Sequence, residues 1–126
     1  MTALPAPDPS AAPVQQAVLA AEPAPSGHPG YGLHAGVTHL LPGGSTPLIR
    51  HDVAEFVLVH EGVLDAELDG DVRRVGRGDH FTVPAGCWHG FTNPGAEPAS
   101  MIFAFGGEPG PVTVRRDRPA REGSLS

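Results

Sequence analysis

Turn-forming residues interrupt this chain so often that a long helix has nowhere to form. Pro42-Gly43-Gly44, Gly62, Asp69-Gly70, Gly76, Gly78, Pro84-Ala85-Gly86 and Asn93-Pro94-Gly95 break it again and again, many of them at the intervals of about 8–12 residues that mark short strands. The segments they leave are Gly32 to Leu41, Glu55 to Val59, Val63 to Leu68, Val72 to Val75, Phe81 to Val83, Cys87 to Thr92 and Met101 to Phe105. Several alternate side chain by side chain, which is the period of a half-buried strand. Asp69-Gly70 is a two-residue hairpin signal. Glycine and proline number 17 and 15 of 126 residues while aromatics make up 6%, a mix that argues against a helical bundle. The pattern predicts an all-β fold, a sandwich or barrel of roughly eight short strands.

The two ends read differently. Residues 1–30 hold seven of the fifteen prolines among many alanines and predict a largely disordered arm. Within it Val14 to Ala20, flanked by prolines, reads as a strand that borrows a sheet edge, since so short a helix is marginal alone. Residues 31–107 make the barrel. Residues 108–126 carry half of the arginines and read as a solvated tail, with anion binding as the functional alternative.

Charge and cysteine content exclude whole classes of function. A net charge of −6 gives nucleic-acid binding no electrostatic support. One cysteine, Cys87, permits neither an intrachain disulfide nor a multi-thiolate metal site. The opening MTALPAPDPS has no basic start and no apolar run, and no stretch approaches the ~20 apolar residues of a membrane helix. The expectation is a cytoplasmic protein that engages neither membrane nor nucleic acid.

Three polar side chains stand out against apolar company. Glu55 opens a strand whose same-face neighbours are Val57 and Val59, His89 shares a face with Phe91, and His51 lies four residues before Glu55. A carboxylate on an apolar face needs a partner or a cation. Two imidazoles and one carboxylate are the donors of the facial triad of non-haem Fe(II) oxygenases, and they equally suit a zinc site with an open position. His39, taken to share a face with Val37 and Leu41, is a candidate catalytic group or surrogate ligand, although a hydrogen-bonded core histidine is the commoner case. Cys87 has the parity of His89 and is the other catalytic candidate, against the commoner role of a small buried hydrophobe. Trp88 then points outward. Arg50 and Asp52 read as a surface ion pair, Asp79 as a turn residue, and His60 and His80 as groups off the cavity. Phe56 and Leu58 face outward and need cover.

With those residues placed, the chain resembles the cupins. Gly43-x5-Ile49-x-His51-x3-Glu55-x6-Gly62 follows their first motif except at Ile49, where cupins usually carry the first of three metal-binding histidines. Gly78-x5-Pro84-x-Gly86-x2-His89-x3-Asn93 follows their second at every specified position, and fifteen residues separate the two. The resemblance implies a cupin-type β-barrel, the jelly roll, covering about 30–105. It implies one divalent metal on His51, Glu55 and His89, with Fe(II) favoured and Zn, Mn, Ni or Co as rivals. It also implies a small-molecule substrate and a homodimer. Some cupins keep only two His and one Glu, whereas others have lost ligands and bind organic molecules without metal.

Ile49, Val57, Phe81, Phe91, Met101, Phe103 and Phe105 are expected to line an apolar pocket. The expected function is therefore a metal-dependent enzyme acting on a largely apolar or aromatic small molecule by an oxygenase-type reaction, the metal serving as Lewis acid and O2 site. A non-redox cyclase, isomerase or lyase of the polyketide-cyclase kind is the alternative. A metal-free binding module is the third.

Overall fold

The computed structural model describes residues 3–20, 32–106 and 112–117. Residues 1–2, 21–31, 107–111 and 118–126, which take in parts of the expected arm and tail and both end residues of the expected barrel, lie outside the described residues. Ten strands follow one another: β1 (Val14–Ala20), β2 (Leu33–Leu40), β3 (Leu48–His51), β4 (Glu55–Glu61), β5 (Val63–Leu68), β6 (Asp71–Gly76), β7 (His80–Val83), β8 (His89–Thr92), β9 (Ala99–Gly106) and β10 (Thr113–Arg116). They form two five-stranded antiparallel sheets, ordered β1-β2-β9-β4-β7 and β10-β3-β8-β5-β6. This is the expected all-β jelly roll. No helix among the described residues is long and apolar enough to cross a membrane.

Alternation builds the core. Along β4, Glu55, Val57 and Val59 are buried while Phe56 keeps 41% of its surface exposed. Leu64 and Ala66 of β5, Phe91 of β8 and Met101 of β9 meet the β4 valines between the sheets. The Asp69-Gly70 turn, both residues at positive φ, closes the β5–β6 hairpin with the right-handed twist its strands need. Asn93 ends β8 and ties the sheets together: its Nδ2 donates to Leu40 O at 2.9 Å and Glu97 O at 2.8 Å, and its Oδ1 accepts from Gly95 N at 2.9 Å. A buried amide with both ends satisfied holds its loop in one arrangement.

Two expectations are corrected here. The inward face of β2 is Gly36, Thr38 and Leu40, not Val37 and His39. Leu40 joins the core, and Gln16 of β1 donates to Thr38 Oγ1 at 3.2 Å. His39 faces the other way, and its Nε2 donates to Pro5 O at 2.8 Å. Alternation failed as a guide because both faces are covered: Val37 is 0% and Thr38 1% exposed. The second correction concerns the tail, where Thr113–Arg116 forms β10 and pairs with β3 along its whole length. All four residues are exposed, so the strand is held by backbone hydrogen bonds and leaves no apolar signature in the sequence.

Candidate metal centre

His51 ends β3, Glu55 begins β4 and His89 begins β8, so three strands from two sheets converge on one point inside the barrel. The Pro84-Ala85-Gly86 turn sets the approach of His89. Gly86 takes φ of 79°, which a side chain would strain, and its N–H donates to His51 O at 2.8 Å. The turn that leads to one histidine is thereby fastened to the backbone of the other.

The side-chain atoms that could bind a metal all lie within 4.8 Å of one another. His89 Nε2 stands 3.0 Å from Glu55 Oε1, and His51 Nε2 stands 3.5 Å from Glu55 Oε2. Neither Nε2 has a hydrogen-bond partner. The opposite ring nitrogens explain why these two are the free ones. His89 Nδ1 donates to Cys87 O at 2.9 Å, which puts the proton on Nδ1 and a lone pair on Nε2. His51 Nδ1 lies 2.9 Å from Thr113 Oγ1, a hydroxyl that accepts the same kind of bond. Fixing the outer nitrogen orients the inner one for ligation.

Charge follows from the same contacts. Burial opposes ionisation of Glu55, but the close approach of the His51 and His89 imidazoles and their positive charge when protonated outweigh it and hold the carboxyl below its ordinary pKa. Burial likewise disfavours charge on His89, yet Glu55 and the Cys87 carbonyl leave its pKa raised. Two buried imidazoles around one anionic carboxylate, with inward lone pairs lacking partners, fit a divalent cation.

A cavity of about 210 Å³ opens against Glu55 and His89, lined among others by Ile49, Phe91, Met101 and Phe103. A second hollow of about 330 Å³ adjoins it at Ile49, Glu55 and Phe103 and adds Phe105 and His51. Five of the seven expected lining residues therefore surround the trio. Val57 is instead fully buried in the core, and Phe81 lines a separate groove with Ala66, Leu68 and His80. Val57 sits one pleat along β4 from Glu55, where the barrel is filled.

His39 takes no part in this cluster, as its position on the outer face requires. The Cys87 thiol is not among the three ligand candidates either. It packs in the core, burial raising its pKa first and the Asp69 carboxylate adding to the shift, and it is the Cys87 carbonyl that serves the site. Arg50 does not pair with Asp52. Its guanidinium lies 4.8 Å from the Trp88 ring centroid on the outer face, while Asp52 Oδ1 accepts from Val112 N. Asp79 is a turn residue, accepting from Gly76 N, and His60 and His80 are exposed.

Several residues around the site were not foreseen. His34 stacks on Phe105 with centroids 5.4 Å apart, and Phe105 lies 5.2 Å from the His51 ring. Gln16, Thr38, Thr113 and Arg115 line the two hollows, and Thr113 also meets His51 Nδ1. The signal for Gln16 was the strand prediction at 14–20, which fixed no facing. For Thr113 and Arg115 there was none beyond a cluster of arginines.

No sequence among curated proteins matches the chain. Solved structures do. A sugar phosphate isomerase of the cupin superfamily from Silicibacter pomeroyi DSS-3 is 26% identical, with a TM-score of 0.62 over 69% of this chain and 58% of that one. Oxalate oxidase in complex with the substrate analogue glycolate is also 26% identical, with a TM-score of 0.67 over 85% of this chain and 58% of that one. A cupin 2 domain-containing protein from Halorhodospira halophila, at 23% identity and a TM-score of 0.67 over 89% of this chain and 73% of that one, shares the fold. The chain thus spans little more than half of the isomerase and the oxidase. The profile described as a cupin domain matches residues 36–105, from the inward glycine of β2 to the last phenylalanine of β9 and across all three converging side chains, and by that match over more than half its length the chain belongs to the cupin family.

Proposed function

We propose that this cupin is a metal-dependent enzyme acting on a small, largely apolar or aromatic molecule, with His51, Glu55 and His89 as the ligands of one divalent transition metal. The observation that carries the proposal is the pair of buried, unpartnered Nε2 atoms aimed at the Glu55 carboxylate. Iron(II) is the first candidate, with zinc, manganese, nickel and cobalt behind it. When bound, the metal would supply Lewis acidity to an oxygen of the substrate and, as iron, a place for O2.

The chain's own residues do the rest. Glu55 provides the one anionic ligand. Cys87 O and Thr113 Oγ1 hold the two imidazoles in their ligating orientation. Ile49, standing where cupins usually carry a further histidine, leaves that side of the trio to the cavity. Phe91, Met101 and Phe103 exclude water from the substrate's body.

An oxygenase-type reaction is the first reading, supported by the donor set and by likeness to an oxalate oxidase. A non-redox isomerase, cyclase or lyase is the second, supported by the equal identity to a sugar phosphate isomerase. The exposed Phe56 on the outer face of β4 supports a homodimer, checked by light scattering.

Elemental analysis of anaerobically purified protein beside His51→Ala and His89→Ala tests the proposal. About one equivalent of metal, lost in both variants, is the expected result. Absence of metal even after reconstitution would overturn it in favour of a metal-free binding module.

A further inference from the structure

Arg115 stands on the inner face of β10, opposite Ile49, and lines both hollows beside Glu55. Among the residues lining those hollows it is the one arginine, and no lysine is there. Among the described residues it makes no ion pair. The neighbouring arginines are committed elsewhere. Arg50 and Arg116 flank the Trp88 ring on the outer face, at 4.8 and 4.4 Å from its centroid. Arg73 and Arg74 pair with Asp71 and Asp65 on β6 and β5. The Trp88 clamp fixes which way β10 faces: with Arg116 outside, alternation turns Thr113 and Arg115 inward. Thr113 reaches His51, and Arg115, among the described residues, is left with no ion-pair partner.

Resting on the reading above that this cavity takes a small molecule, we propose that Arg115 is a specificity residue that binds a carboxylate of the substrate, which is therefore an acid with an apolar or aromatic body. A guanidinium offers two parallel N–H donors that match the two oxygens of a carboxylate. Gln16, across the hollow on β1, and Thr38 add neutral donors. Ile49, Phe91, Met101 and Phe103 take the apolar remainder.

The test compares 3-phenylpropionate with its uncharged amide, 3-phenylpropionamide, by calorimetric titration of zinc-loaded protein. Benzoate, phenylacetate and octanoate extend the acid series. The wild type should bind the best acid at least tenfold more tightly than the matching amide, and Arg115→Gln should remove that preference, the acid affinity falling to the level of the amide, while zinc content stays unchanged. Arg115→Lys, which keeps the charge but not the fork, should retain part of it. Arg73→Gln, a charge deletion at the far edge of the same sheet, should retain all of it. Equal binding of acid and amide by the wild type, binding of no acid, or an acid preference that survives in Arg115→Gln would each overturn the inference. Metal content read on the same samples separates the two claims. Protein that never takes up metal yet shows the Arg115-dependent preference overturns the metal proposal alone. Protein that binds zinc and treats acid and amide alike overturns this one alone.

Discussion

The middle of each sheet and its outer edge contribute different things to the same site. Glu55 and His89 stand on β4 and β8, each hydrogen-bonded to strands on both sides, and they are 6% and 1% exposed. β1 and β10 are edge strands with one neighbour each. Yet Gln16 and Arg115 come from those edges, and so does Thr113, which braces the His51 ring from behind. Metal binding needs donors held to a fraction of an ångström, which a doubly paired strand provides. Substrate recognition tolerates a softer support. The two proposals above would thus divide the labour, the centre to hold the ion and the edges to select what reaches it.

The largest expected effect breaks the centre. Glu55→Ala should lower metal affinity at least 100-fold, about 3 kcal/mol, read as loss of metal on gel filtration. The metal-free melting temperature should stay level or rise, because an inward carboxylate is gone. Metal retained in full would mean the edge, not the centre, supplies the ligands. Next comes the Asn93 tie. Asn93→Leu removes three hydrogen bonds at a buried position and should cost about 2–4 kcal/mol, a fall in melting temperature of roughly 10–20 °C. A fall of only a degree or two would refute the tie.

Thr113→Val sharpens the comparison from the other side. If the edge braces the centre, metal affinity should drop about tenfold with melting of the metal-free protein little changed. An unaltered affinity would confine β10 to recognition. A slighter effect belongs to the clamp: Trp88→Ala, which removes two exposed cation–π contacts of roughly 0.5–1 kcal/mol each, should speed amide exchange in β10 before any other strand. Uniform acceleration across both sheets would show that the edge is not a separate unit.

Acidity separates metal-free from metal-loaded protein. With the His89 pKa raised in the folded state, folding takes up a proton, so this group's stabilisation is complete below the unfolded histidine pKa and declines as pH rises through the folded value. Glu55, held low, stabilises above the unfolded carboxylate pKa and loses that effect as pH falls through its folded value. Metal requires the deprotonated imidazole. The rise in melting temperature on adding zinc should therefore grow between about pH 6 and 8, and a constant rise would exclude His89 as a ligand.

Much of the centre was legible in the chain because its signals are local. His51 and Glu55 are four residues apart, and His89 follows a proline–glycine turn that has one geometric purpose. Asn93 was visible as the last position of its motif, but its bonds to Leu40, Glu97 and Gly95 were not. The edges were not legible because their reasons are distant. β2 has both faces covered, so alternation could not choose between His39 and Thr38. Thr113–Arg116 is a strand only because β3 offers it a partner, and nothing in Thr-Val-Arg-Arg says so. His34 became visible only when Phe105 lay beside it. Ile49 was read both as a missing ligand and as a pocket residue, and it lines both hollows.

Gly36 shows what a missing side chain can decide. It lies on the inner face of β2, and a methyl group there would come within 2.5 Å of Phe103 Cζ and 2.9 Å of Ala17 O. The aromatic ring occupies the room that a hydrogen leaves free, and β1 draws in over the same spot. Phe103 is part of the wall of both hollows, so the smallest residue in the barrel acts as a depth gauge. Enlarged to alanine, it would press the ring toward the substrate and shorten the longest molecule admitted, changing the choice of substrate from the far side of the wall without touching any group that binds it.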